Sequence, residues 1–258
     1  MKTIALLGAV ALTAMSTLGM AEEQTLRIGI EAAYPPFASK TADGAITGFD
    51  YDIGNALCEK MAVKCVWTEQ QFDGLIPSLK VRKIDAILSS MSITADRLKS
   101  VDFSKKYYHT PGKLAMKAGT VINDPLVDLK GKRVGVQRAS TYDRYATDNF
   151  APAGIEVVRY GSQSEAFLDL TSGRLDATLA DIVNIDEGFI KTDAGKGFAL
   201  VGPDFTDSKY FGNGAGIAVR KGDSVTAEKL NAAIDAVRAD GTYQKIQNKY
   251  FSFDIYGG

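Results

Sequence analysis

Apolar and polar positions along this chain fall into blocks whose period switches repeatedly. Short runs dense in branched apolar residues, at 25–31, 63–68, 84–89, 133–137, 155–159 and 175–180, predict buried strands. Between them, 51–61, 73–80, 141–150 and 163–172 carry helix-like spacing. In the first of these, Ile53, Leu57 and Met61 fall four apart, a stripe that faces a core. Near the C-terminus "SVTAEKLNAAIDAVRADG" is amphipathic through Val225, Leu230, Ile234 and Val237 and stops at Gly241, and a further helix covers about 242–250. Strands alternating with helices predict an α/β fold of mostly parallel sheets flanked by helices.

Two phrases recur. "LKVRKIDAILSS" (79–90) is echoed by "LTSGRLDATLAD" (170–181), and "RIGIEAAYPPF" (27–37) by "RVGVQRASTYDRY" (133–145). In the first pair Asp-Ala opens an apolar strand; in the second an Arg-x-Gly-x strand runs into a polar, aromatic loop. The offsets, 91 and 106, are unequal, so this is no tandem repeat of fixed period. Two similar α/β lobes with different loop lengths fit better. In such sheets ligands collect beyond the carboxyl ends of the strands. The echoes bring Glu31, Ser89–Ser90, Gln137 and Asp181 to four such ends, which a cleft between lobes would turn toward one ligand.

The ends and the charge narrow the setting. "MKTIALLGAVALTAMSTLGMA" (1–21) has a positive Lys2, an apolar run from Ile4 to Ala14 and a small-x-small site at Gly19-Met20-Ala21, the pattern of a secretory signal. Thr13, Ser16 and Thr17 cut its apolar run short of the roughly 18 residues a membrane span needs. The mature chain is expected to begin at Glu22 and to be soluble outside the cytoplasm. The remaining residues make one or two domains by length, and with 45% hydrophobic residues they can bury a full core. The 30 Lys/Arg nearly balance the 31 Asp/Glu without a basic block, which argues against a nucleic-acid partner. Cys58 and Cys65 fit an oxidising compartment. The six residues between them match no C-x-x-C pattern and no histidine is near, so a structural disulfide is expected, stabilising by about 2–3 kcal/mol.

"AILSSMSITADR" (86–97) starts as a buried strand and ends in small hydroxyls and an arginine. Hydroxyls and backbone N–H groups at a strand end, with one fork-shaped cation, suit a carboxylate ligand. They suit equally an ordinary loop in which Thr94 caps a helix and Arg97 is a solvated first-turn residue.

Taken together, "YPPF", "GFDYDIGNALCEKM", "FDGLIPSLKVRKIDAILSSMSIT", "GKRVGVQRAST", "SGRLDATLAD" and "KYFGNGAGIAVRKGD" resemble the periplasmic amino-acid-binding proteins of ABC importers, above all the lysine/arginine/ornithine-binding and arginine/ornithine-binding members. The resemblance implies a type II periplasmic binding protein fold. Lobe 1 would be 22–108 plus 215–258, lobe 2 would be 113–205, and the crossings would lie at 109–112 and 206–214. It implies a periplasmic monomer that takes one basic L-amino acid, arginine or ornithine before lysine or histidine, and serves a membrane permease. It also implies roles. Arg97 takes the α-carboxylate with Ser92 and the backbone N–H of Thr141. Asp181 takes the α-ammonium, with Ser90 oxygens nearby. Tyr34 and Phe72 sandwich the ligand's stem, Ser89 is polar lining, and Glu31 and Gln137 face the far end of the side chain. The lysine/arginine/ornithine-binding members have Asp in place of Glu31 and Leu in place of Gln137. The longer acid shortens the pocket and the glutamine adds a polar contact, so a cationic side chain stays favoured while the ranking among them blurs.

Proteins of this fold include dehydratases of arogenate or prephenate, whose chemistry needs a carboxyl general acid beside the substrate ring. The spacing of Glu31 and Asp181 from Arg97 suits the neutralising of two ligand cations better than proton transfer. His109, the sole histidine, sits at a crossing without partners and is read as structural. No metal cluster or phosphate loop stands out, "GAGIAVRKGD" lacking the strand–loop–helix context. A binding protein without cofactor or metal is the expectation, not an enzyme.

Overall fold

The computed structural model describes residues 24–257, so the expected signal segment and the start at Glu22 lie outside the described residues. The first stretch runs β1 (Thr25–Ile30), β2 (Ser39–Lys40), β3 (Ile46–Thr47), α1 (Phe49–Lys60), β4 (Lys64–Glu69), α2 (Phe72–Lys80), β5 (Ala86–Ile87) and β6 (Val101–Tyr108). A second follows with β7 (Gly112–Lys117), α3 (Pro125–Asp128), β8 (Arg133–Gln137), α4 (Thr141–Tyr145), β9 (Glu156–Tyr160) and α5 (Gln163–Thr171). It continues through β10 (Ala177–Asp181), α6 (Ile182–Ile185), β11 (Phe198–Phe205) and α7 (Ser208–Phe211). Then come β12 (Ala215–Arg220), α8 (Ser224–Ala239) and α9 (Thr242–Tyr250).

Two five-stranded sheets result, ordered β4-β1-β5-β12-β6 and β9-β8-β10-β7-β11. The two orders match strand for strand: a central strand pairs in parallel on one side, and the other end of the sheet is antiparallel. Half of the pairings in each sheet are antiparallel, yet four of its five strands run the same way, only β12 and β7 being reversed, so the sheets are mostly parallel as expected. The antiparallel half comes from strands that the alternation of strands and helices does not announce. β6 reads VDFSKKYY and sits at a sheet edge, where Lys105 is exposed. Charge on an edge strand is ordinary and masks the apolar pattern.

The echoed phrases pair with each other inside each sheet. Arg27 donates from its backbone N and from Nε and Nη2 to the Asp85 carboxylate, and the Asp85 N–H donates back to the Arg27 carbonyl at 2.7 Å. In the second sheet the Arg133 N–H donates to Asp176 at 2.8 Å, and the Asp176 N–H to the Arg133 carbonyl at 2.9 Å. The glycine of each Arg-x-Gly makes room for the residue before that aspartate. A Cβ on Gly29 would come 2.5 Å from Ile84, and one on Gly135 would come 2.3 Å from Leu175. The repeated words are thus one interlocking unit used twice.

The helices fall close to their predicted places, with physical refinements. Residues 141–150 form α4 and then a wider π turn over Ala146–Phe150. In α8 the buried face is Leu230, Ala233, Ile234 and Val237, while Val225, expected on it, is 63% exposed. Val225 is the helix's second residue, ahead of the part that packs on the sheet. Cys58 and Cys65 form the expected disulfide between the end of α1 and β4. The chain passes from the first sheet to the second between Tyr108 and Gly112 and returns between Phe205 and Ala215. The carboxyl ends of β1, β5, β8 and β10 consequently meet across one gap.

Candidate functional site

That gap is a cavity between the sheets, and all ten side chains assigned from the resemblance line it, Ser89 and Thr141 among them. Most are placed by a strand end or a helix start, while Tyr34 and Ser92 are held in loops by single bridges to Ala38 and Ala215. Glu31 follows β1 and is 4% exposed; its backbone N–H donates to Ser89 Oγ at 3.0 Å. Gln137 ends β8, equally buried, and its Nε2 donates to both carboxylate oxygens of Glu31 at 2.7 Å. The two positions at which this chain departs from the lysine/arginine/ornithine pattern therefore touch. A leucine could not donate that bond, and a shorter acid would not reach as far toward it. Burial pushes the Glu31 carboxyl up to about 7 in spite of the Gln137 donor, with the Asp73 and Glu165 charges adding to the rise.

Arg97 is half-buried and opens the short 3₁₀ turn Arg97–Lys99. Its backbone N–H donates to Thr94 Oγ1 at 3.2 Å, but the turn's cap is Asp96, without a side-chain capping bond, and Arg97 lines the cavity, unlike the solvated first-turn residue of the alternative reading. Nη1 donates to the Ser92 carbonyl at 3.0 Å and Nη2 to the Ala139 carbonyl at 3.2 Å, across the gap. The guanidinium lies over the Phe72 ring, 5.4 Å from its centroid. Burial brings its pKa down to about 10, which leaves it a full cation. Two of its five N–H groups are used, and the others remain for a carboxylate. Thr141 is the first residue of α4 behind the Ser140 cap, so its backbone N–H has no intrahelical partner.

Asp181 ends β10 and caps α6: Oδ1 accepts from the Val183 N–H at 2.8 Å, and Oδ2 accepts from the Thr110 hydroxyl. Cap and cavity lining are the same carboxylate, not alternatives. Burial raises it to about 6 despite these donors. Its N–H donates to the Tyr34 hydroxyl across the gap, at 3.4 Å. Ser90 holds a left-handed backbone, φ 50°, that turns its hydroxyl onto a wholly buried acid, Asp50, at 2.9 Å. Tyr107 donates to the other oxygen of Asp50 at 2.9 Å, and burial lifts that carboxyl to about 7.

Several cavity residues carry no signal in the sequence pattern: Tyr108, Thr110, Tyr142 and Gln163. His109, read as structural, lines the cavity too, and burial and Lys106 hold its pKa below the usual value. Thr110 belongs to a crossing and Gln163 to a helix start, positions whose direction depends on how the two sheets face each other. Further bonds span the gap at its rim. Arg144 lies 2.6 Å from Asp96, Arg138 lies 3.3 Å from Asp73, and Asn184 Nδ2 donates to the Pro35 carbonyl at 2.6 Å. Among the described residues no three His, Cys, Asp or Glu side chains gather as a metal site would need, and no helix is long and apolar enough to cross a membrane.

With this geometry in view, the comparisons are specific. Residues 26–253 match the model of the bacterial extracellular solute-binding proteins, family 3. The L-arginine-binding protein of Pseudomonas aeruginosa is 65% identical over 257 residues, 100% of this chain and 99% of that one. The lysine/arginine/ornithine-binding periplasmic protein of Escherichia coli is 47% identical over 91% of this chain and 90% of its own. A solved Salmonella typhimurium periplasmic binding protein described as highly arginine-specific superposes with a TM-score of 0.82 at 36% identity, covering 89% of this chain and 100% of that one.

Proposed function

The chain belongs to the bacterial extracellular solute-binding proteins, family 3, and on that premise we propose that it captures L-arginine or L-ornithine between its two sheets and delivers it to the permease of an ABC importer. It is a binding protein and not an enzyme, as its relatives are. One observation carries the ligand assignment. The charged groups lining the cavity, among the described residues, are one cation, Arg97, and two buried carboxyls, Glu31 and Asp181; the pKa of the remaining titratable group, His109, is pushed down by burial and Lys106. A ligand that neutralises all three offers one carboxylate and two cations, which is a basic amino acid. The α-carboxylate goes to Arg97 and the Thr141 N–H, the α-ammonium to Asp181 and the Ser90 oxygens, and the side-chain cation to Glu31. Tyr34 and Phe72 flank the stem, Phe72 also carrying the Arg97 guanidinium. The neighbouring names, L-arginine-binding and lysine/arginine/ornithine-binding, support the same class. Neither metal nor cofactor is needed for it. Calorimetry of refolded, ligand-stripped protein is expected to rank arginine and ornithine above lysine and histidine, one site per chain. Tighter binding of glutamine or glutamate than of arginine would overturn the assignment.

The secretory pattern at the N-terminus and the periplasmic relatives support the periplasm as the place of this work. Residues 22–108 with 215–258 act as one lobe and 113–205 as the other, bending at 109–112 and 206–214. The bonds that span the gap, Glu31 to Gln137 and Arg97 to the Ala139 carbonyl, can form only when the lobes are closed. Closure is the state the permease would recognise. Small-angle scattering is expected to show a monomer whose radius of gyration shrinks on saturation with arginine; an unchanged radius counts against closure as the signal.

A further inference from the structure

Gln163 takes no part in the roles above. It is the first residue of α5, directly behind the Ser162 cap, and is 1% exposed. Its Nε2 donates to Thr178 Oγ1 at 2.8 Å. The Thr178 hydroxyl itself donates to the Gly135 carbonyl at 2.8 Å, so its single proton is committed and its oxygen can only accept from Gln163. This fixes which way round the amide sits: Nε2 faces the sheet and Oε1 faces away from Thr178. Oε1 is buried and, among the described residues, has no hydrogen-bond partner. Buried side-chain acceptors seldom stay unpaired, and each exception asks for a reason.

The surroundings supply one. Gln163 lines the same cavity as Glu31 and Gln137. It lies two residues beyond Gly161, whose carbonyl is 3.5 Å from Gln137 Nε2, so α5 starts beside the Glu31–Gln137 pair that faces the ligand's side chain. We propose that Gln163 Oε1 is a specificity-determining acceptor for the tip of the ligand's side chain, taking an N–H of a guanidinium whose other edge is held by Glu31. A guanidinium presents five N–H donors in a plane, on more than one edge, and one carboxylate cannot cover them. The ammonium of ornithine sits on a shorter stem and offers its donors from a single point. Gln163 accordingly favours arginine over ornithine. The inference rests on the basic-amino-acid reading of the cavity.

Titration of Gln163→Leu and Gln163→Glu with arginine and ornithine tests it. The leucine removes the acceptor and the tether to Thr178; the glutamate keeps an acceptor, adds a negative charge that would itself favour a cation, and loses the donor to Thr178. Losing an acceptor for a charged donor is expected to weaken arginine at least about tenfold in the Gln163→Leu protein. Ornithine should change less, and the Gln163→Glu protein should hold arginine within about threefold of wild type or more tightly. Gln163→Met serves as a second apolar variant should the leucine lower the melting temperature. Equal losses in the apolar and Glu variants would assign Gln163 to tethering the sheet and overturn the proposal, as would undiminished arginine binding by the apolar variants. Failure of the wild-type protein to bind arginine is a different result, which removes the reading of the cavity itself.

Discussion

Arg97→Met is expected to abolish useful binding of every amino acid alike. All of them share the α-carboxylate, and the methionine keeps the length and much of the apolar stem of Arg97 while removing its charge. Truncating one partner of a buried, hydrogen-bonded charge pair costs about 2–5 kcal/mol, which is roughly thirtyfold to several-thousandfold in affinity. The position adds to the cost. Arg97 also donates to the Ser92 carbonyl on its own side and to the Ala139 carbonyl across the gap, so its loss removes one of the bonds that hold the cavity shut. The Arg97→Lys protein restores the charge without the fork and should recover only part of the affinity. Calorimetry with arginine, ornithine, lysine and histidine checks this. A loss confined to arginine, with ornithine spared, would contradict a carboxylate role.

The second large effect belongs to Glu31. Glu31→Gln keeps shape and removes charge, leaving the ligand's side-chain cation desolvated beside a neutral amide. That should weaken arginine and ornithine by about 2–4 kcal/mol, near the usual cost of breaking a buried ion pair. Citrulline, which shares the α-groups and has an uncharged tip, should be nearly unaffected, so the arginine-to-citrulline ratio collapses. An unchanged ratio would show Glu31 to be irrelevant to specificity.

A pH series makes the same point in the unmodified protein. Burial holds the Glu31 carboxyl at about 7, so below that pH it carries a proton that a bound guanidinium must displace. Affinity for arginine should fall as pH drops through about 7, by up to about tenfold per unit, and level off above it. Asp181 at about 6 and Asp50 at about 7 titrate nearby, but in the proposed binding mode both face the α-ammonium that arginine and citrulline share. The arginine-to-citrulline ratio cancels them and reports Glu31. In the Glu31→Gln protein that ratio should not vary with pH.

What the chain alone determined follows from short-range chemistry. The Arg-x-Gly and Asp-Ala words appear twice because each strand pair needs the same interlock: an arginine on an aspartate, and a bare glycine beneath a branched side chain. That interlock is local to one sheet and survives in the letters. It places Glu31, Ser89–Ser90, Gln137 and Asp181 at strand ends before any tertiary contact is known. The disulfide is legible for the same reason, two cysteines seven positions apart at a helix-to-strand turn.

Tertiary structure decided the rest, because it depends on how two separate sheets face each other. Edge and crossing strands such as β6 carry lysines that hide them from any apolar count. The Glu31–Gln137 bond joins residues 106 positions apart on different sheets, so two departures that look independent along the chain become one contact. Asp50, inside α1, reads as a helix-start acid, yet the fold buries it wholly behind Ser90. Gln163 reads as an ordinary polar residue at a helix start. Only the direction of the Thr178 hydroxyl, committed to a backbone carbonyl, turns its amide oxygen into an acceptor without a partner, since a hydrogen bond's sense is set by the whole chain of donors and not by any residue's type.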